Sequence, residues 1–494
     1  MQEKTRDFAL SALFIDLGAG DVRKTMLDPD LSCSFLGGRG IAARLLAQQP
    51  CVDPLEENAA LIFSTGPLTG SRIPAGGRMM ISGFSPLTGT VCSCSVGGRL
   101  AIMMKRAGID LISITGKAKA RTVIEIDNQD VRLIRSAIPA NAPLSSIFEG
   151  YRSFNGSVAA AGQAAFLGCR YASIMIDGSF ASGRGGLGCA MAAKNLQAVA
   201  IRGSGKISVY DREQEDLART DILRLFDASP AIMGRSGISR YGTAALVDLM
   251  ASRRMMPTAN FRRTFFEEYR AFSATRIREK ENPKHHACHG CPIACKKRSA
   301  SDIPEFETLS HFGALNENAD LASIIEANSI CNEIGVDTIT AAATIACLAE
   351  IRQQRYTRIC PDRQGQRDHI CTRRRGAAQN GLCSACPGTG GTGKVHVRQV
   401  AGNACIRSAR GIRNGPGLLH LHQRGMPSAG IPYRPRDPAQ ACFNRPLLVF
   451  GQGPHHKNCR RPQRRHRLHR GMQVRLFRCI SRGICKGACR SDRT

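Results

Sequence analysis

Every recoverable periodicity in this chain stops near residue 351, and that line bounds what can fold. Up to Ile351 the sequence alternates glycine-punctuated apolar runs with helical stripes; beyond it neither a period of 2 nor one of 3.6 can be traced. The charge changes at the same place. Residues 1–350 carry 39 Lys+Arg against 35 Asp+Glu, whereas residues 351–494 carry 30 against 4. Glu350 is the last glutamate, and after it arginine far outnumbers lysine, with isolated Cys and His set between Pro and Gly. The formal charge of +30 over 494 residues therefore belongs almost wholly to the tail. A basic segment ordinarily points to nucleic acid, but such tails mix Lys with Arg in blocks and do not change style at one residue.

The remaining 350 residues are long enough for two domains, each with its own core. Residues 1–205 read as short strands between glycine turns: Ala12–Leu17, Ala60–Phe63, Met79–Ser82, Leu111–Thr115, and a hairpin of Val123–Ile126 with Val131–Ile134 around Asp127-Asn128-Gln129. Near Gly203-Ser204-Gly205 the composition shifts towards helix, with candidates at Gln214–Phe226 and Ala244–Ala251. Asp320 is a natural N-cap for a helix whose apolar positions Leu321, Ile324, Ile325, Cys331 and Ile334 share a stripe, and Gly335 is its natural stop. A further helix restarts at Asp337. The expectation is an α+β chain: a β-rich domain over 1–205, a mainly helical domain over 206–350, and a tail over 351–494 that is disordered or non-native. Phe8–Ile15 is too short for a leader or an anchor and is followed by Asp16, so a cytoplasmic location without membrane contact is expected. In a reducing compartment the 21 cysteines are then ligands, buried thiols or accidents, not a disulfide framework.

The sharpest motif is Cys288-His-Gly-Cys291-Pro-Ile-Ala-Cys295. Three thiolates at this spacing can converge on one soft metal centre, with a fourth ligand from elsewhere. A zinc knuckle completed by His285, His286 or His289 uses the same residues. Upstream lie Leu36-Gly-Gly-Arg-Gly40, Gly66-Pro-Leu-Thr-Gly70, Pro74-Ala-Gly-Gly-Arg78 and Val96-Gly-Gly-Arg99, with Gly183-Arg-Gly-Gly-Leu-Gly188 further on, just before Lys194-Asn195. Glycines let backbone N–H groups approach phosphate oxygens, and an adjacent guanidinium can pair with two of them. One glycine pair is usually a tight turn. Repetition with Arg carries the anion reading.

In order and spacing these segments resemble the aldehyde ferredoxin oxidoreductase family. The likeness runs from Gly66-Pro-Leu-Thr-Gly70 through Pro74–Arg78, Ser85-Pro-Leu-Thr-Gly89, Gly97-Gly98 and Arg106-Ala-Gly-Ile-Asp-Leu to Thr115-Gly-Lys-Ala118. It continues in Gly183–Gly188, Tyr241-Gly-Thr-Ala, Cys288–Cys295, and Glu305-Phe-Glu-Thr-Leu leading to Asp320–Asn328. The resemblance implies a tungsten or molybdenum bis-pterin with a magnesium ion between the pterin phosphates, and a [4Fe-4S] cluster. It assigns phosphate contact to Arg78 and Gly97, and main-chain carbonyls at Ser95 and Ala181 to the magnesium; Ser95 stands where the family usually has Asn. Cys288, Cys291 and Cys295 become three of four cluster ligands. Glu307, by itself an ordinary solvated glutamate, becomes a proton-transfer acid near the metal. The family's pterin-binding D-x-x-G-L-D is here Asn332-Glu-Ile-Gly335-Val-Asp337, in which Asn332 replaces a carboxylate but still accepts a hydrogen bond. Glu326-Ala-Asn-Ser329 replaces the E-x-x-H of relatives that hold an interface iron, so no such iron is expected.

The family's later motifs are missing after residue 351, and a shifted reading frame accounts for the lost glutamate and the arginine excess together. Reading one base later across Asn403–Asn414, Gly425–Gln440 and Ala441–Leu476 permits strings that resemble those motifs in order. The fourth cluster cysteine then falls across the codons of Met472 and Gln473, and the Cys and His residues written in the tail are accidents. The expected activity is oxidation of an aldehyde to a carboxylic acid with electrons passed to ferredoxin, in a homodimer without nucleic acid. The chain as written is expected to be truncated and inactive. The competing reading is a non-enzymatic zinc or nucleic-acid-binding protein with a basic tail.

Overall fold

The computed structural model describes residues 8–50 and 53–353, with the backbone of three short strands at Ile359–Pro361, Asp368–Ile370 and Val395–His396. The readings made on the tail, the shifted frame and the Met472–Gln473 cysteine among them, lie outside the described residues.

Twelve strands build two mixed six-stranded sheets. The first contains β1 (Ser11–Asp16), β2 (Asp21–Met26), β3 (Leu61–Ser64), β4 (Met79–Phe84), β5 (Val91–Val96) and β6 (Leu111–Thr115), in the order β2-β1-β6-β3-β4-β5. The second contains β7 (Thr122–Asp127), β8 (Asp130–Arg135), β9 (Ser157–Ala161), β10 (Ile174–Ile176), β11 (Phe180–Ala181) and β12 (Leu196–Arg202), in the order β11-β10-β9-β12-β7-β8. Each sheet has one parallel pair, β1 with β6 and β12 with β7. The other neighbours are antiparallel. Position explains composition: β3 and β12 are enclosed and almost wholly apolar, while β2 is an edge strand with polar residues turned to solvent.

The helices Leu100–Arg106 and Leu187–Ala193 have nearly every side chain buried. One core runs from Leu13 and Ile112 through these helices to Leu309, Ile324 and Ile345, so the helical region shares its interior with the sheets. That region holds Arg212–Asp227, Leu246–Ser252, Ala274–Glu281, Phe306–Phe312, Leu321–Ile334 and Thr338–Gln353. The Asp320 carboxylate accepts from Ala322 N at 3.2 Å, and Gly335, at φ 76°, ends the helix by donating to Cys331 O. Both ends are as the sequence predicts. A polar latch fixes the first helix after the sheets: the Glu215 carboxylate accepts from Arg72 N at 2.6 Å and from Arg212 at 2.7 Å.

Lys194 lies at the seam of the two sheets, 1 % exposed, with Nζ donating to Glu57 O at 2.7 Å and Glu56 O at 3.4 Å. Burial pushes its pKa down to about 8, against the pull of Glu57 and Asp16. An unfolded lysine titrates near 10.4, so between about 8 and 10.4 the unfolded chain holds more protons and stability rises with pH. Below the lower value the benefit is absent. Lys194→Met is expected to abolish a rise on the order of 2–3 kcal/mol across that window, measured as the difference in urea midpoints of the two proteins at pH 7.5 and 10.

Candidate functional site

Two short strands, β13 (Lys284–His286) and β14 (Lys296–Arg298), pair His285 with Lys297 and lift the cysteine loop between them. The loop turns back at Gly290 (φ 66°) and Ala294 (φ 48°), with Cys291 N donating to Cys288 O at 3.1 Å. Cys288, Cys291 and Cys295 are all partly exposed, and burial, with the charges of Glu305, Cys288 and Cys291, raises the pKa of Cys295. The three sulfurs thus feel one another. Buried Lys297 fastens the base of the loop by donating to Ser239 O at 2.9 Å and to Ala294 O. His286 packs its ring on Phe180 at 5.3 Å, and His285 faces the Lys297 ammonium at 3.4 Å. Among the described residues no three of His, Cys, Asp and Glu stand at the spacing of a single metal ion.

The glycine loops of the first sheet press on this cysteine loop. A Cβ at Gly97 would lie 2.3 Å from Cys288 Sγ and 3.1 Å from Phe180, and one at Gly77 would lie 2.9 Å from His289 O. Only a residue without a side chain permits either approach. Arg78 is exposed beside them and folds onto Ser95, with Nε donating to the hydroxyl at 2.8 Å and Nη2 to the carbonyl at 2.7 Å. Ala181, exposed at the end of β11, follows the Phe180 ring that covers Gly97. Arg78, Ser95 and Gly97 therefore share one rim with Cys288, and Ala181 is joined to it only through its chain neighbour Phe180. Gly97→Ala is expected to destabilise the protein by about 1–3 kcal/mol and to speed alkylation of a displaced Cys288, read by denaturant titration and peptide mass mapping.

A second group gathers around the loop Gly183–Gly188. The charge of Arg184 reaches Glu307, His311 and Asp337, which come from two different helices. Glu307 is exposed, yet the protein packed around its carboxyl raises its pKa by desolvation, aided by Glu305 and opposed by Arg184 and Lys296. His311, one turn later on Phe306–Phe312, has Nδ1 2.8 Å from Glu307 O. A ring nitrogen facing a carbonyl must carry the proton, so Nε2 keeps a lone pair; it is buried without a hydrogen-bond partner. Burial drops this histidine to about 4 and holds it neutral.

Asp337 caps Thr338–Gln353. Its carboxylate accepts from Thr340 N at 2.9 Å and Ile339 N at 3.4 Å, and burial raises its pKa despite them. Gly335 O accepts from Ser173 N at 2.9 Å, docking the helix junction on the sheet, while Asn332 lies partly exposed one turn before. Asp337 thus already has a structural task, and any further partner must share its oxygens. Arg184 and His311 were not singled out in the sequence. Arg184 sat inside a quoted glycine motif, and the only sign of His311 was its place four residues after Glu307.

Comparison with known proteins bears on the whole arrangement. Residues 12–203 match the aldehyde ferredoxin oxidoreductase N-terminal domain, and residues 218–360 match aldehyde ferredoxin oxidoreductase domains 2 & 3. The chain belongs to the aldehyde ferredoxin oxidoreductase family. A tungsten-containing aldehyde ferredoxin oxidoreductase of Pyrococcus furiosus is 33% identical over 352 residues, covering 69% of this chain and 58% of the relative. The aliphatic sulfonate oxidoreductase, WOR-like subunit, of the same organism is 28% identical over 69% of this chain and 59% of its own length. The active site complex BamBC of benzoyl coenzyme A reductase shares the fold with a TM-score of 0.63 at 23% identity, over 71% of this chain and 57% of its own. The match spans 58% of the length of the tungsten-containing relatives. Membership places the chain in an oxidoreductase family whose matched relatives include tungsten-containing enzymes.

The residues present fit a metallopterin phosphate and an iron–sulfur cluster, the groups the family implies: exposed Arg78 and Arg184 suit an anion beside them, and three thiols of one loop suit a soft cluster. The space beside Gly77 and Gly97 is taken by the cysteine loop itself. The fourth cluster donor is not assigned among the described residues. No helix among the described residues is long and apolar enough to cross a membrane.

Proposed function

We propose that the described part of this chain is the cofactor-holding portion of an enzyme oxidising an aldehyde to a carboxylic acid at a tungsten or molybdenum bis-pterin. Its electrons would leave through a [4Fe-4S] cluster to ferredoxin. The observation that carries the reading is the contact of Gly97 with Cys288: the loop assigned to pterin phosphate and the first cluster cysteine touch, which would keep the two bound groups close enough for electron transfer. When bound, the metallopterin would supply oxygen transfer and the cluster one-electron conduction.

The chain's own share is to bind, orient and handle a proton. Arg78 and the Gly97 backbone would grip phosphate, and the carbonyls of Ser95 and Ala181 would face magnesium. The Ser95 carbonyl accepts from Arg78 Nη2 at 2.7 Å, so Arg78 would have to turn from it to phosphate before a magnesium ion could take that oxygen. Asn332, Gly335 and Asp337 would meet the pterin edge, and Cys288, Cys291 and Cys295 would hold three cluster irons. Glu307, whose carboxyl pKa is raised by desolvation, would hold or release a proton there. We place the domain division at residues 1–205 and 206–350, with a homodimer in the cytoplasm as the working form. The same proposal makes the chain as written inactive, because its shifted tail would leave the cluster one thiolate short.

The test is a gene carried through in the shifted frame and expressed anaerobically with tungstate or molybdate. Bound tungsten or molybdenum, cluster absorbance and aldehyde-dependent reduction of ferredoxin are expected together. A well-folded product with neither metal nor cluster overturns the reading.

A further inference from the structure

Cys92 and Cys94 have been given no part so far, though their sulfurs touch the Gly183–Gly188 loop of the site. They are successive residues on one face of the edge strand β5, and their sulfurs are 3.8 Å apart. The carbonyl of Arg184 sits over both, 3.1 Å from Cys94 Sγ and 3.7 Å from Cys92 Sγ. Its position is fixed from both sides: the next carbonyl, Gly185 O, accepts from Ser85 Oγ at 2.7 Å, and a Cβ at Gly185 would lie 2.3 Å from Cys92 Sγ. Three donor atoms thus form a closed triangle at the protein surface, since Arg184 is exposed and Cys92 partly so.

We propose that Cys92 Sγ, Cys94 Sγ and Arg184 O form a binding site for one thiophilic divalent cation of the zinc class, separate from the Cys288–Cys295 loop. The dimensions argue for it. Zinc–sulfur bonds of about 2.3 Å at a tetrahedral angle place two sulfurs about 3.8 Å apart, whereas linear coordination would separate them by about 4.6 Å. The edge from a sulfur to a bound oxygen is about 3.6 Å in the same geometry, between the two distances seen. A solvent molecule would complete the fourth vertex.

A disulfide between the two is disfavoured, because residues two apart in a strand have Cα atoms about 6.6 Å apart, at the upper limit for that bond. A cation needs no such movement. Binding one divalent ion converts two thiols to thiolates and releases two protons, so the product M(SR)2 is neutral at the metal. Occupancy would fasten the Gly183–Gly188 loop to β5 through the Arg184 carbonyl.

The test uses the full, reduced chain without oxygen and cadmium(II) as the probe. Wild type is expected to bind one more cadmium than Cys92→Ser/Cys94→Ser, each single variant to bind it at least tenfold more weakly, and Ser93→Ala to match wild type. The triple variant Cys288→Ser/Cys291→Ser/Cys295→Ser is expected to keep the site, visible as a cadmium-113 resonance of mixed sulfur and oxygen coordination. A second measurement needs no variant: one equivalent of cadmium should protect Cys92 and Cys94 from iodoacetamide together, as mapped by mass spectrometry. Equal stoichiometry in wild type and double variant, or protection of one cysteine without the other, overturns the proposal.

Discussion

Alanine at Cys288, Cys291 or Cys295, introduced into the frame-shifted gene product, is expected to reduce cluster absorbance and ferredoxin reduction to background. The three thiols sit on one loop whose base is clamped by Lys297 and whose flank is closed by Gly97, so no neighbouring sulfur can take the vacant place. Cys92 and Cys94 lie on β5, which leads into Gly97, but their sulfurs face the Arg184 carbonyl instead. A cluster that has lost one thiolate is exposed to solvent at that iron and becomes labile. Iron and acid-labile sulfide analysis beside the visible spectrum decides the matter, and retention of full iron content in any of the three variants removes that cysteine from the ligand set. Chain expressed in the written frame should behave like these variants.

Glu307→Gln is expected to lower kcat by about 10²–10⁴-fold while leaving metal and cluster content intact, the usual loss when a positioned proton-transfer group is removed. Glutamine keeps the shape and the helix position but holds no titrating proton. The carboxyl of Glu307 titrates above the ordinary carboxylate range because protein encloses it, so the acidic limb of the wild-type kcat profile should lie correspondingly high. That limb should vanish in the variant. An unchanged pH profile, with kcat within a few-fold of wild type, would assign Glu307 a structural place only.

Legibility in the sequence followed local contrast more than burial, since the enclosed strands β9 and β12, rich in alanine, were not read. β6 coincides with Leu111–Thr115 as read, because an unbroken apolar run bounded by polar residues has few alternatives. β2 was missed: it lies at an edge and its outward side chains give no apolar alternation. β5 was missed for a related reason, since Val91–Val96 alternates Cys with Ser and carries little hydrophobic contrast. In the site, the cysteine spacing and the glycine–arginine pairs were visible because each is local in the chain. The contact of Gly97 with Cys288 was not, because it joins residues nearly two hundred positions apart through a side chain that is absent. The Arg184 carbonyl was equally hidden, since a main-chain oxygen leaves no mark in residue identity.

The missing methyl at position 97 would also bear on a rate. On the proposed function, Gly97 lies where the pterin-holding loop would meet the first cluster cysteine, and the absent side chain lets the two come close. A larger residue that pushed the two bound groups apart would lengthen the electron's path, and tunnelling falls off exponentially with that distance.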